Sequence, residues 1–450
     1  METEARWTAD QVLALAPDAA SRKAGARLAT PAPWSGTGVA GTAVWGLCKG
    51  SGSTPYQTVV DIGGPAFRCS CPSRKFPCKH ALGLLLLWSE GDAGPIAAAA
   101  EPEWVEQWTA ARRKKAESQA STAAGAPAKA GGPADPEAAR RRADRRAVRV
   151  EGGAAELEQR LADLLRGGLA GADRDGYRQW DEIAARMVDA QAPGLASRVR
   201  ELGTVPAGGG DWPSRMLEET ALLHLLARGY LGRERLPDPL AGTVRSRVGF
   251  TVDSAELLAG PTVRGHWLVL AQYDMADDRL TTRRIWLYDE AAGRFALLLS
   301  FGAAGRAPEL VLPVGAVIEA EVAYYPSALP LRAVLGTQHG TARRAEAVPR
   351  GVPVAAALDS YGAALADDPW LDAWPVLLGD VVPIPGDARW QVADATREDA
   401  IPLAGSAPQW RFAALSGGHP LTAFGELGPT GFRPLTAWTP SSPTPTPLTP

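Results

Sequence analysis

Three of the four cysteines in this 450-residue chain lie between positions 69 and 78, in CSCPSRKFPCKH, and a histidine follows the last by two. Cys69, Cys71, Cys78 and His80 thus offer three thiolates and one imidazole at close spacing. That is the donor set of tetrahedral zinc, and four protein ligands close the coordination sphere to water. A catalytic zinc keeps one position open, whereas here the set is complete and no spare acid stands beside it. The pattern therefore favours one structural Zn2+. The competing reading is of small buried hydrophobes or redox-active thiols. The clustering and the terminal histidine weigh against it. Cys48, in WGLCKG, reads as a strand-end cysteine outside the cluster.

The elements that must hold these ligands are short. AVWGLCKG (43–50), PYQTVVDI (55–62) and AFRCSC (66–71) read as strands, with GSGS and GGP as turns. On a straight strand Cys69 and Cys71 would face the same side. Pro72 and Ser73 turn the chain, and Pro77 starts a helix with Cys78 and His80 in its first turn, a favourable place for thiolate. ALGLLLLW (81–88) lacks β-branched residues, so it continues that helix and docks Leu82, Leu85 and Leu86 into a core. The metal then fastens a ββα unit too small to hold itself together.

CxC, a short gap, then CxH followed by an apolar helix resembles the SWIM-type zinc finger. GSGSTPYQTVVD and AFRCSCPSRKFPCKHALGLLLLW look like its bacterial form. The resemblance covers about residues 55–88 and implies that Cys69, Cys71, Cys78 and His80 are the zinc ligands. It also implies a role in DNA binding or protein–protein interaction. Long bacterial members resemble components encoded beside MoxR-type AAA+ ATPases and von Willebrand factor A proteins. The resemblance therefore implies an adaptor with such protein partners.

Other features are weaker. KGSGSTPY (49–56) lacks phosphate-loop spacing and reads as a hairpin turn. Arg74, Lys75 and Lys79 stand among the ligands. They either meet phosphates or an acidic partner, form a solvated face, or offset the net charge of a three-thiolate site. Residues 111–150 hold eleven basic and four acidic side chains, a balance of +7 within a chain of net −3, so the remainder carries −10. This segment, with Arg140, Arg141 and Arg142, could grip nucleic acid through counterion release. It lacks interleaved aromatics, and a soluble charged linker is the alternative. Trp104 and Trp108 are expected to pack on the finger's helix. His224 falls within a leucine face as a buried or boundary histidine. His266, His339 and His419 have no sequence-local metal partners, and DMADD (274–278) reads as a turn. No serine elbow, zinc-protease helix or dinucleotide fingerprint appears, so a non-enzymatic protein is expected.

The fold class expected is α+β and multidomain. It comprises an N-terminal module (1–90), a flexible basic linker with a short helix (91–153), a helical region (154–236), a β-rich region (237–438) and a disordered Pro/Thr tail (439–450). Strands are expected at RSRVGFTV, GHWLVLAQYD, RRIWLYD, RFALLLSF and AVIEAEVAYY, with a hairpin turn at EAAG. RWQVADA, QWRFAAL and LTAFGEL are expected as strands too, and a helix at 353–366. No 18-residue apolar run and no signal peptide is seen, so no membrane contact and cytoplasmic residence are expected.

Overall fold

The structure, a computed structural model, describes residues 7–16, 19–50, 52, 54–62, 66–73, 77–91, 94–111, 136–168, 176–208, 211–276, 280–303, 308, 310–386, 389–405 and 407–449. Arg74 and Lys75 lie outside them.

The N-terminal module opens with helices α1 (Ala9–Ala14) and α2 (Ala19–Ala26). An antiparallel sheet follows, β1 (Trp34–Ala40), β2 (Ala43–Cys48), β3 (Tyr56–Asp61) and β4 (Ala66–Cys69), in sequence order. Helix α3 (Lys79–Ser89) crosses one face. Side chains alternate as a sheet requires. Val44 and Val60 join Leu82, Leu84 and Leu85 in one core, while Ala43, Trp45 and Val59 face Val105, Trp104 and Trp108 on the other side. The two tryptophans, on helix α4 (103–111), therefore pack on the sheet's far face and not on α3, correcting the sequence expectation. The sheet's β-branched pleat offers a second apolar side, and α3 is already enclosed by α1, α2 and the strands. At Gly83 a Cβ would stand 2.7 Å from Leu28 Cβ, so the chain after α2 approaches α3 as only glycine allows.

Helix α5 (Pro136–Gly167) begins well before the boundary expected at 153, so Arg140 to Arg149 are helical rather than linker. It packs with α6 (Gly176–Asp189), α7 (Pro193–Thr204), α8 (Trp212–Leu231) and α9 (Asp238–Val248). Val150, Ala154, Leu157 and Leu161 form the buried stripe of α5 at helical spacing. RSRV, expected as strand, closes α9 instead, and α10 (Ser254–Ala259) follows.

Strands β5 (Val263–Ala276), β6 (Leu280–Asp289), β7 (Arg294–Ala303), β8 (Ala316–Tyr324) and β9 (Arg332–Gln338) form a closed barrel. The first three are antiparallel neighbours. β8 returns to pair with β5, and β9 closes the ring, antiparallel to β8 and parallel to β7. β10 (Arg343–Arg344) extends β8. Trp267, Val269, Ile285, Leu287 and Ile318 fill the interior.

A second antiparallel sheet is ordered β13-β12-β11-β14-β15-β16. Its strands are β11 (Trp374–Ile384), β12 (Gln391–Asp394), β13 (Ala400–Pro402), β14 (Leu421–Gly428), β15 (Gly431–Trp438) and β16 (Thr446–Pro447). Helix α11 (Val354–Asp367) arises where a helix was expected, and α12 (Gln409–Ser416) replaces the strand expected at QWRFAAL. Both pack on one face, while Leu377, Phe424, Leu435 and Trp438 of the other meet the barrel wall at Leu268, Leu270 and Trp286. The tail expected to be disordered adds β16 to β15 and buries Leu448. The barrel's Val311 is buried among the core residues of the N-terminal module. Leu15 and Arg22 share a cavity of about 430 Å³ with Thr439 and Pro447.

Candidate metal centre

The chain brings its four candidate ligands together from two elements. Cys69 ends β4, where Ser70 N–H donates to Gln57 O (3.0 Å) and Gln57 N–H to Ser70 Oγ (3.0 Å), fixing the strand end. Cys71 sits on the bend that follows. Cys78 is the N-cap of α3. Its carbonyl accepts Leu82 N–H at 3.0 Å, and its sulfur belongs to the cluster. His80 lies in the first turn, 4 % exposed, its ring 4.9 Å from that of Tyr56.

The ligand atoms all lie within 4.8 Å of one another. His80 Nδ1 is 3.7 Å from Cys69 Sγ and 4.0 Å from Cys78 Sγ. A tetrahedron with zinc–sulfur bonds of about 2.3 Å and a zinc–nitrogen bond of about 2.1 Å has edges of roughly 3.6–3.8 Å, so the set fits one zinc ion with Nδ1 as the imidazole donor. The electrostatics point the same way. The Cys69 thiol is held down to about 4, first by its hydrogen bond with Cys78, then by those from His80 and Thr58, against its burial. Thr58 Oγ1 lies 3.2 Å from that sulfur. Cys78 is pushed well above the thiol range, first by the same hydrogen bond and then by burial. Burial likewise raises Cys71. Burial and the negative charge at Cys69 oppose thiolates at Cys71 and Cys78, which is the cost that a bound dication would offset. The cluster fits a structural Zn2+, and it is the one Cys/His/acid group with metal-holding geometry among the described residues.

Cys48 stays outside the cluster, wholly buried at the end of β2. Its thiol is pushed up to about 11, first by burial and then by the charge at Cys69, with Lys79 opposing. Lys79 is exposed and close enough to offset the negative centre. Arg140, Arg141 and Arg142 are exposed on α5, with Arg141 paired to Glu137 at 3.2 Å. They lie on a different element from the cluster. Further along the same run, Arg146 Nη2 donates to Gly249 O (2.9 Å) and Arg149 Nη2 to Gln191 Oε1 (2.8 Å), so these cations fasten the helical bundle.

Two histidines find partners the sequence did not place beside them. His339 Nε2 is 3.1 Å from Glu321 Oε1, and His224 Nε2 is 3.9 Å from Glu158 Oε1. Both glutamates come from other elements, α5 and β8, so only the fold could reveal them. Asp274 of DMADD belongs to β5 and holds Arg283 through two short contacts (2.7 and 2.8 Å).

Residues 59–88 match the family model described as SWIM zinc finger. Residues 145–248 match the one described as SWIM-associated four-helix bundle domain. The first match contains β4, all four candidate ligands and α3 up to Trp88, and the second ends with α9. No curated protein and no solved structure gives a significant match.

Proposed function

Because the chain is a SWIM-type zinc finger protein that carries its own SWIM-associated bundle, we propose that it is a non-catalytic adaptor. Its zinc folds a recognition module and performs no reaction. The observation that carries this reading is the burial of α3. Nine consecutive residues, His80 to Trp88, are buried, which leaves Lys79 and Ser89 at the helix ends. A zinc-finger helix that reads a major groove must present side chains to base edges. This one is spent on the core of its own module. When bound, the metal supplies folding free energy and cross-links β4 to the start of α3. Cys78 and His80 fix the helix entry, Thr58 supports Cys69, and Tyr56 covers the imidazole.

The partners proposed are a MoxR-type AAA+ ATPase and a von Willebrand factor A protein, by analogy with the long bacterial proteins this chain resembles. The test is co-expression with the host's MoxR-type ATPase and co-purification at moderate salt. A stoichiometric complex that is lost in Cys78→Ser is expected. Separate elution of the two zinc-loaded proteins at micromolar concentration would overturn the assignment of this partner. A second reading rests on the exposed Arg140, Arg141, Arg142 and Lys79, and has these cations bind nucleic acid. It requires a steep salt dependence that reversing the three arginines removes.

A further inference from the structure

The barrel order β5-β6-β7-β9-β8, with β7 and β9 parallel, is the connectivity of the OB-fold, a five-stranded Greek-key barrel. Such barrels bind oligomers at the face of their second and third strands and at the loop joining the fourth and fifth. Here β14 and β15 cover the middle of that face, since Phe424 packs on Trp286 and Phe295. The loop from β8 to β9, residues 325–331, stays open, with a cleft on each side.

One cleft, of about 400 Å³, lies between this loop, the β6–β7 hairpin and α11–β11. Tyr288, Phe295 and Trp374 line it, with Tyr288 and Phe295 packed on each other at 4.7 Å, and the exposed residues Arg294, 4.8 Å from the Tyr324 centroid, and Arg350 add cations. The other, of about 140 Å³, lies between the loop and α9, with Phe250, Tyr325, Arg245 and Arg332 among its lining residues. Its cations sit on rings: Arg332 is 4.2 Å from the Tyr325 centroid and Arg245 is 4.7 Å from that of Phe250. Arg146 of α5 lies over the same Phe250 ring at 4.4 Å. The loop is held in place. Ser327 Oγ accepts Leu329 N–H (3.0 Å), and Thr243 Oγ1 accepts Ala328 N–H (2.8 Å).

Rings stacked with guanidinium planes are a chemistry that binds single-stranded nucleic acid: bases stack on the outer faces of the guanidinium groups or on the ring faces left open, and phosphates are met by the cations. The basic run 111–149 lacks those rings, whereas this loop has both. Asp289 and Glu290 stand nearby, held by backbone N–H groups of Ala291 and of Arg350, and their two negative charges are outnumbered by Arg245, Arg294, Arg332 and Arg350. We propose that the β8–β9 loop and its two flanking clefts form a single-stranded nucleic-acid site. It is independent of the finger and of the adaptor reading.

The test is fluorescence anisotropy of the full zinc-loaded chain with a labelled 12-nucleotide oligo(dT) across a salt series. A dissociation constant tighter than the non-specific level of about 10⁻⁴ to 10⁻⁶ M near physiological salt is expected. Arg294→Glu with Arg350→Glu is expected to weaken binding at least tenfold and to flatten the salt slope by about 0.7 per lost phosphate contact. Tyr325→Leu, which keeps the bulk and removes the stacking face, is expected to weaken it at least fivefold. An unchanged melting curve in each variant separates a lost site from a lost fold. The proposal is overturned by equal affinity for a 12-base-pair duplex. It is also overturned if reversing Arg140, Arg141 and Arg142 abolishes binding while the site variants keep it. Binding of polyglutamate in preference to any oligonucleotide would overturn it in favour of an acidic protein ligand.

Discussion

Replacing Glu426 by alanine should loosen the seam between the barrel and the second sheet, and the geometry sets the size of the effect. Glu426, on β14, is 7 % exposed. Its Oε1 accepts from Tyr273 Oη–H at 2.7 Å and from Trp286 Nε1–H at 2.9 Å, both on barrel strands. Arg284 Nη2 stands 3.4 Å from the same oxygen and Arg433 Nη1 3.8 Å from the other. Alanine leaves two buried donors without an acceptor, each costing about 1–3 kcal/mol. Water entering the vacated space returns part of this, so the net loss is about 3 kcal/mol. Glutamine keeps an acceptor oxygen and loses only the charge, a cost of about 1 kcal/mol. Urea unfolding followed by tryptophan fluorescence compares the two variants with wild type. In a double-mutant cycle Tyr273→Phe should couple to Glu426→Ala by about 1–2 kcal/mol. If alanine and glutamine cost the same within about 0.5 kcal/mol, the carboxylate does not join the two units as argued.

Zinc content measured by elemental analysis should be one ion per chain. Cys78→Ser should abolish it and lower the melting temperature, whereas Cys48→Ala should leave the content unchanged, because Cys48 lies outside the ligand set. Gly83→Ala should destabilise the N-terminal module by about 1–3 kcal/mol through overpacking against Leu28, read as an earlier thermal transition with zinc still bound. Stability should fall on the alkaline side. Burial pushes Tyr324 up to about 12 and raises Tyr273 too, with the Glu426 charge adding to the latter. Unfolded tyrosines release their protons near pH 10 while the folded chain still holds them, so between about pH 10 and 12 the unfolded state binds fewer protons and ΔG falls as pH rises. An unchanged urea midpoint from pH 9 to 11 would contradict this.

The metal centre was legible because its ligands sit within twelve residues, where spacing alone nearly dictates geometry. The apolar run that followed identified α3. The bundle's long helices were legible from the stripe Val150, Ala154, Leu157 and Leu161. Short elements were misread where local composition was ambiguous. RSRV alternates like a strand, but Gly249, at φ +117°, closes α9, with its N–H on Arg245 O and Ser246 O and Phe250 N–H on Arg245 O. QWRFAAL holds no β-branched residue and ends at Gly417, another left-handed position. The Pro/Thr composition of 439–450 predicts disorder, yet at a sheet edge proline costs no ladder bond, which is where Pro447 lies. Barrel closure through β7 and β9 joins distant strands and leaves no local trace. The Arg and aromatic residues around the β8–β9 loop come from α5, α9, β6, β7, β9, β11 and the connections between elements, so no window of sequence shows them together.

The burial of Val311 in the zinc module, and the cavity shared by Leu15, Arg22 and residues 439–447, set an order of events during synthesis. A ribosome delivers the finger first, and zinc can fold its β-sheet and α3 as soon as they emerge. Val311 and the residues 439–447 arrive roughly 220 and 350 residues after the end of α3. Closing a loop of the longer span costs on the order of 5 kcal/mol of chain entropy if the intervening chain is unstructured. The bundle and barrel, folding in sequence, shorten that span before the seam forms. The nascent finger thus waits with one apolar flank exposed to solvent and to chaperones. Residues 439–447, made long after the finger, line the cavity beside Leu15 and Arg22, so a truncation that removes them should disturb the zinc module more than their distance along the chain suggests.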